Sequence, residues 1–150
     1  MAEDSVTIVV VDDDAGHIEL VRRHLRRSGV HNPFTAFRAG DAALDFVFRR
    51  GAHGARPNRL LILLDINIAG RVDGFEVLRQ IKSDPQTRHI PVIMLTTTDD
   101  PRDIDRCYQL GCNAYVTKQV DPAAFSESIE RLGLILSVTS LPHQSAGSST

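Results

Sequence analysis

Apolar residues in this chain alternate between short unbroken runs and stretches in which they recur every third or fourth position. Residues 6–11, VTIVVV, form a β-branched run of the kind a strand buried on both faces requires, and the run stops at Asp12. A helical pattern follows, with Ile18, Val21 and Leu25 on one face, Arg22, Arg23, Arg26 and Arg27 largely off it, and Gly29 as its stop. Residues 34–37, FTAF, read as a weaker strand. Gly40-Asp41 then opens a helix carrying Leu44, Val47 and Phe48, which ends in the glycine-rich stretch 51–54. Residues 60–64, LLILL, repeat the first pattern and end on Asp65. A loop to Gly74 and a helix with Phe75, Leu78 and Ile81 come next. Residues 90–95 give a fourth strand. Asp100-Pro101 is a helix cap with proline at the first helical position, and Gly111 closes that helix. Residues 114–116 form a short fifth strand, Asp121-Pro122 repeats the cap, and a last helix runs to about Val138.

Five strand–helix alternations imply a parallel α/β sheet, because each helix is the crossover that parallel neighbours need. A chain of 150 residues is one domain and too short for a closed eight-stranded barrel. No G-x-G-x-x-G follows the first strand, so a dinucleotide site is not expected. A doubly wound five-stranded sheet remains, over residues 5–138, with 139–150 as a polar tail. The apolar content of 42% with 24% charged residues suits a chain that folds alone. A net charge of −2 supplies no field for holding DNA or an anionic membrane. With two cysteines, Cys107 and Cys112, no apolar stretch near the length of a membrane span and an acidic start, a cytoplasmic protein is expected.

In open α/β sheets ligands bind beyond the carboxyl ends of the strands. Here those ends carry Asp12, Asp13 and Asp14, then Asp65, then Thr96, Thr97 and Thr98, and last Thr117 and Lys118. Carboxylates gathered at one edge repel one another and call for a counter-charge, for which a hard divalent cation such as Mg2+ suits an oxygen-only donor set. A carboxylate beside Mg2+, a hydroxyl and a lysine can form an aspartyl phosphate. Asp65, alone at its strand end, is the expected nucleophile, and Asp12 and Asp13 the metal holders. Asp14 reads as a helix cap. The six histidines are scattered and suggest no metal site.

These residues resemble the receiver domain of two-component response regulators. The match runs through Val10-Val11-Asp12-Asp13, Leu63-Leu64-Asp65-Ile66-Asn67, Asp73-Gly74-Phe75, Pro91 to Thr96 and Gly111 to Lys118. The resemblance implies a (βα)5 flavodoxin-like fold with strand order 2-1-3-4-5 and Asp65 as phosphoacceptor. It implies Asp13 as a direct Mg2+ ligand, Asp12 assisting through water, Asn67 a ligand through its carbonyl, and Thr96 and Lys118 as phosphoryl-binding groups. Tyr115 matches the family's switch aromatic, which moves with Thr96. The stretch from Ile90 to Lys118, with a last helix ending LGLILSV and Leu141-Pro142 beyond it, is similar to single-domain regulators partnered with bacterial phytochrome histidine kinases.

Two departures stand out. Gln119 follows Lys118 where the family has proline, at a bond that is often cis there. The loop after Asp65 is one residue longer, with Ala69 where proline is usual. Leu132, Leu134, Ile135, Leu136 and Val138 cover more of the last helix than one core stripe needs, so a homodimer through strand five and the last two helices is expected. The function read from the sequence is phosphoryl acceptance from a sensor histidine kinase, with no turnover of an external substrate, no output domain and no DNA binding. The alternatives are a receiver-fold interaction module that is never phosphorylated and a haloacid-dehalogenase-type phosphatase acting through Asp12.

Overall fold

A computed structural model of the chain describes residues 5–117. It contains strands β1 (Thr7–Val11), β2 (Phe34–Phe37), β3 (Leu60–Leu64), β4 (Val92–Thr96) and β5 (Ala114–Thr117). Between them lie helices α1 (Ala15–Arg27), α2 (Gly40–Val47), α3 (Gly74–Ser83) and α4 (Pro101–Gln109), with a short 3-10 turn at Gly51–His53. All strand pairings are parallel, as the alternation predicts, and the order is β2-β1-β3-β4-β5, as the resemblance implies.

Successive residues of a strand point to opposite faces, and both faces are covered here. Ile8, Val10, Leu61, Leu63, Ile93 and Leu95 pack with Val21 and Leu25 of α1. Val9, Val11, Ile62, Leu64, Val92 and Met94 pack with Leu44 and Val47 of α2 and with Val77, Leu78 and Ile81 of α3. Each fully buried aliphatic side chain of this kind contributes about 1.5–3 kcal/mol. The central strands β1, β3 and β4 are buried at every residue, whereas the edge strands β2 and β5 are half-buried throughout.

The expected caps are present. Asp14 accepts from the backbone amides of Gly16 and His17, and Asp100 from that of Arg102 with Pro101 behind it. Several boundaries move, β4 and β5 each ending one residue later than expected, at Thr96 and Thr117. Strand one begins at Thr7 rather than Val6, and β4 begins at Val92 rather than Ile90, because the amide of Ile90 closes a turn on the carbonyl of Thr87 and Pro91 has no amide to give. The loop from α2 to β3 holds an arrangement that glycine content alone does not reveal. Arg49 takes a left-handed φ of 59° and donates to the carbonyls of Gly54 and Arg56 and to Asn58, while Arg56 donates to the carbonyl of Val47. The last helix, the tail, the Lys118–Gln119 bond and the five apolar residues from Leu132 to Val138 fall outside the described residues.

Candidate functional site

The register of β1 and β3 pairs Val11 with Leu64, so Asp12 and Asp65 leave neighbouring strands side by side. The amide of Asp65 still donates to the carbonyl of Val11, at 3.0 Å, and that of Asp12 to the carbonyl of Phe37. Both carboxylates are nearly sealed, Asp12 at 3% and Asp65 at 8% exposure. Acids are rarely buried this deeply without partners. Oδ1 of Asp12 accepts from the amide of Asp14 at 2.9 Å, and Oδ1 of Asp65 from that of Asn67 at 3.2 Å. His17, in the first turn of α1, lies against both Asp12 and Asp14, with nitrogen–oxygen separations of 3.6 and 3.7 Å.

Asp13 is held differently. Its Oδ2 accepts from the backbone amide of Ala69 at 2.9 Å, across the site on the β3–α3 loop. Its carbonyl accepts two bonds from the guanidinium of Arg38, at 3.2 and 3.0 Å. Arg38 is not marked by the sequence as part of the site, and Ala69 is marked only as a residue standing where proline is usual. Arg38 is a charged residue after an edge strand, and a main-chain donor has no residue type to betray it.

The β3–α3 loop folds tightly under Asp65. The amide of Gly74 donates to the carbonyl of Ile66, and Asp73 caps α3 by accepting from Glu76. A Cβ at residue 74 would lie 2.2 Å from the carbonyl oxygen of Asp65 and 2.6 Å from Cα of Ile66, so only glycine lets α3 start here.

Thr96 ends β4 with no exposure, and its hydroxyl oxygen is 3.5 Å from the amide of Thr98. Thr98 in turn donates from Oγ1 to Asp103 of α4 at 3.2 Å. The hydroxyl of Tyr115 on β5 donates to the carbonyl of Thr98. Burial pushes the Tyr115 phenol up to about 12, helped by the nearby Cys107, Asp103, Asp99 and Asp65. Arg106 lies over the ring of Phe75, 4.0 Å from its centroid, and joins α4 to the start of α3. Cys107 and Cys112 are free and buried, and burial pushes the Cys107 thiol up to about 12, which suits packing rather than reactivity.

The structure therefore gathers Asp12, Asp13, Asp65, Asn67, Thr96 and Tyr115 at one edge of the sheet, and Lys118 lies one residue beyond the described part of β5. Asp14 caps α1, the role expected of it from the sequence. The donor set is all oxygen, which fits a hard divalent cation. Among the described residues, no three His, Cys, Asp or Glu side chains already converge closely enough to hold one.

A sheet in this order, with acids at the β1 and β3 ends and a hydroxyl at the β4 end, defines a receiver. The response regulator receiver domain family matches residues 8–130, and the chain belongs to that family. Phytochrome-associated response regulators are among its homologues. Response regulator Rcp1 of Synechocystis sp. is 37% identical over 111 residues, covering 74% of this chain and 75% of that protein. The crystal structure of a receiver domain from Rhodospirillum rubrum superposes with a TM-score of 0.80 at 44% identity, covering 89% of this chain and 94% of that one. The phosphorylated cyanobacterial phytochrome response regulator RcpA has the same TM-score at 32% identity, covering 90% and 96%. An Rcp1 structure is Mn2+-bound, with a TM-score of 0.76 at 33% identity, covering 85% and 91%. Among the described residues no helix is long and apolar enough to cross a membrane.

Proposed function

We propose that this chain is a response regulator receiver that accepts a phosphoryl group on Asp65 from a sensor histidine kinase, within a phytochrome-linked two-component relay. The observation that carries this reading is the position of Asp65, at the end of the central strand β3, beside Asp12 and next to the β4 end that carries Thr96. An oxygen of the Asp65 carboxylate attacks phosphorus, the P–N bond to the donor imidazole breaks, and the imidazole leaves with the bonding electron pair. Asp13, Asp65 and the carbonyl of Asn67 would hold Mg2+, with Asp12 assisting through water. When bound, the cation supplies positive charge to the phosphoryl oxygens. The Thr96 hydroxyl and the Lys118 ammonium take the remaining charge, and Thr96 turning toward the phosphoryl group draws on the Thr98–Tyr115 contact.

The phosphoryl group later leaves by hydrolysis, so the protein turns over no external substrate. It acts in the cytoplasm, without DNA binding of its own, and passes its signal by pairing with a second copy through β5 and the last two helices. The receiver spans residues 5–138, and 139–150 form a tail. Intact mass after incubation with a small phosphodonor tests the reading. A Mg2+-dependent gain of one phosphoryl group that is lost in Asp65→Asn is expected. No gain under conditions that label another receiver would leave an unphosphorylated interaction module.

A further inference from the structure

Asp13 is pinned at two points that belong to different parts of the fold. Arg38, beyond β2, holds its main-chain carbonyl with two donors, and Ala69, on the β3–α3 loop, holds its carboxylate with one. The carboxylates of Asp12, Asp13 and Asp65 repel one another, and a hydrogen-bond donor that draws one of them aside relieves that repulsion. Oδ2 of Asp13 is 2.9 Å from the Ala69 amide and so is drawn toward the β3–α3 loop. An N–H to an ionised carboxylate is among the stronger hydrogen bonds. Ala69 can make it because it is not proline, which has no N–H, and the next residue, Gly70, takes a left-handed φ of 109° that glycine adopts readily.

We infer that the Ala69 amide is a resting partner for the Asp13 carboxylate, from which a divalent cation must take it, so that residue 69 sets cation affinity and the Ala69 amide loses its hold on Asp13 when the cation binds. This rests on the proposed cation-assisted reading. Because Arg38 fixes the Asp13 backbone independently, the exchange moves the side chain while the β1–α1 loop stays in place.

The test uses the full chain, labelled with 15N and titrated with Mg2+, alongside binding isotherms for Ala69→Pro and Ala69→Gly. The Ala69 amide proton should shift upfield as its hydrogen bond is lost, with the same midpoint as cation binding. Ala69→Pro, which lacks the donor, should bind Mg2+ roughly three- to tenfold more tightly, and Ala69→Gly, which keeps it, should match the parent. An Ala69 amide that does not move at saturating Mg2+ would overturn the inference and leave the cation site standing, and so would a folded Ala69→Pro of unchanged or weaker affinity. Absence of Mg2+ binding in the parent chain would overturn both. If Ala69→Pro does not fold, the amide titration of the parent decides alone.

Discussion

Tyr115 donates its phenolic hydrogen bond to the main-chain carbonyl of Thr98, so one side chain ties the edge strand β5 to the loop that leads into α4. Thr98 passes the connection on through its own hydroxyl to Asp103. Tyr115→Phe keeps the ring and removes the donor. The expected cost is about 0.5–1.5 kcal/mol in urea unfolding, with faster amide exchange across residues 97–100. Thr98→Val removes the donation to Asp103 and the bond that its hydroxyl accepts from the Asp100 amide, and its faster exchange should be confined to Asp100 and the first turn of α4.

Alkaline pH should weaken the fold through two buried groups. The Tyr115 phenol and the Cys107 thiol are both pushed up to about 12 by burial, from ordinary values of 10.0 and 9.0. The folded chain favours their neutral forms, so their contribution is complete below about pH 9 and is lost as pH rises toward 12. In a Tyr108→Phe background Tyr115 is the one remaining tyrosine. Phenolate absorbance followed against pH should then show its ionisation coinciding with unfolding. Ionisation at the ordinary value with the fold intact would contradict the burial argument.

Gly74→Ala should be severely destabilising. The added methyl would overlap the main chain of Asp65 and Ile66, neither of which is a flexible side-chain end that can swing aside. A loss of more than about 3 kcal/mol is expected by urea denaturation, at the upper end for a single substitution. Gly54→Ala, where nothing lies within 4 Å, should be close to neutral by the same measurement.

Asp14→Ala removes the cap of α1, leaving the amides of Gly16 and His17 without their carboxylate. A loss of about 1 kcal/mol is expected, and Asp14→Ser should recover most of it. Phosphoryl acceptance should persist in both variants, since Asp14 holds the helix rather than the reacting group.

Mg2+ should raise the thermal midpoint in a saturable way, and chelation should reverse the shift. A cation at ten times its dissociation constant stabilises the fold by about 1.4 kcal/mol. Asp13→Asn should abolish the shift, and a calorimetric scan that shows an equal shift in this variant would remove Asp13 from the cation site.

The buried strands were legible in the sequence because each is an unbroken apolar run that stops on a polar residue, whereas their order in the sheet was implied by the resemblance to receivers. Asp12, Asp65 and Thr96 could be picked out for the same reason. The start of β4 was not legible, since Ile90 is as apolar as the strand it precedes and only the turn hydrogen bond to Thr87 keeps it out. Arg38 and the bond made by the Ala69 amide were hidden for a different reason. Their parts in the site depend on a main-chain carbonyl and a main-chain amide, which every residue other than proline carries. The Arg49 and Arg56 scaffold of the α2–β3 loop was missed in the same way, because its acceptors are mostly carbonyls.

The burial of the strands sets where a disturbance can travel. Asp65 is rooted in β3, whose five residues are all sealed between two layers, whereas β5 is half-buried and Cys107 is the one buried residue of α4. A densely packed centre resists deformation, so a change of charge at Asp65 cannot spread by bending the strand that bears it. The yielding material lies at the rim, where α4 is moored by a thiol, an arginine over Phe75 and the Thr98 linkage. In mechanical terms β3 is an anvil and α4 a reed, the stiff and the compliant members of one frame.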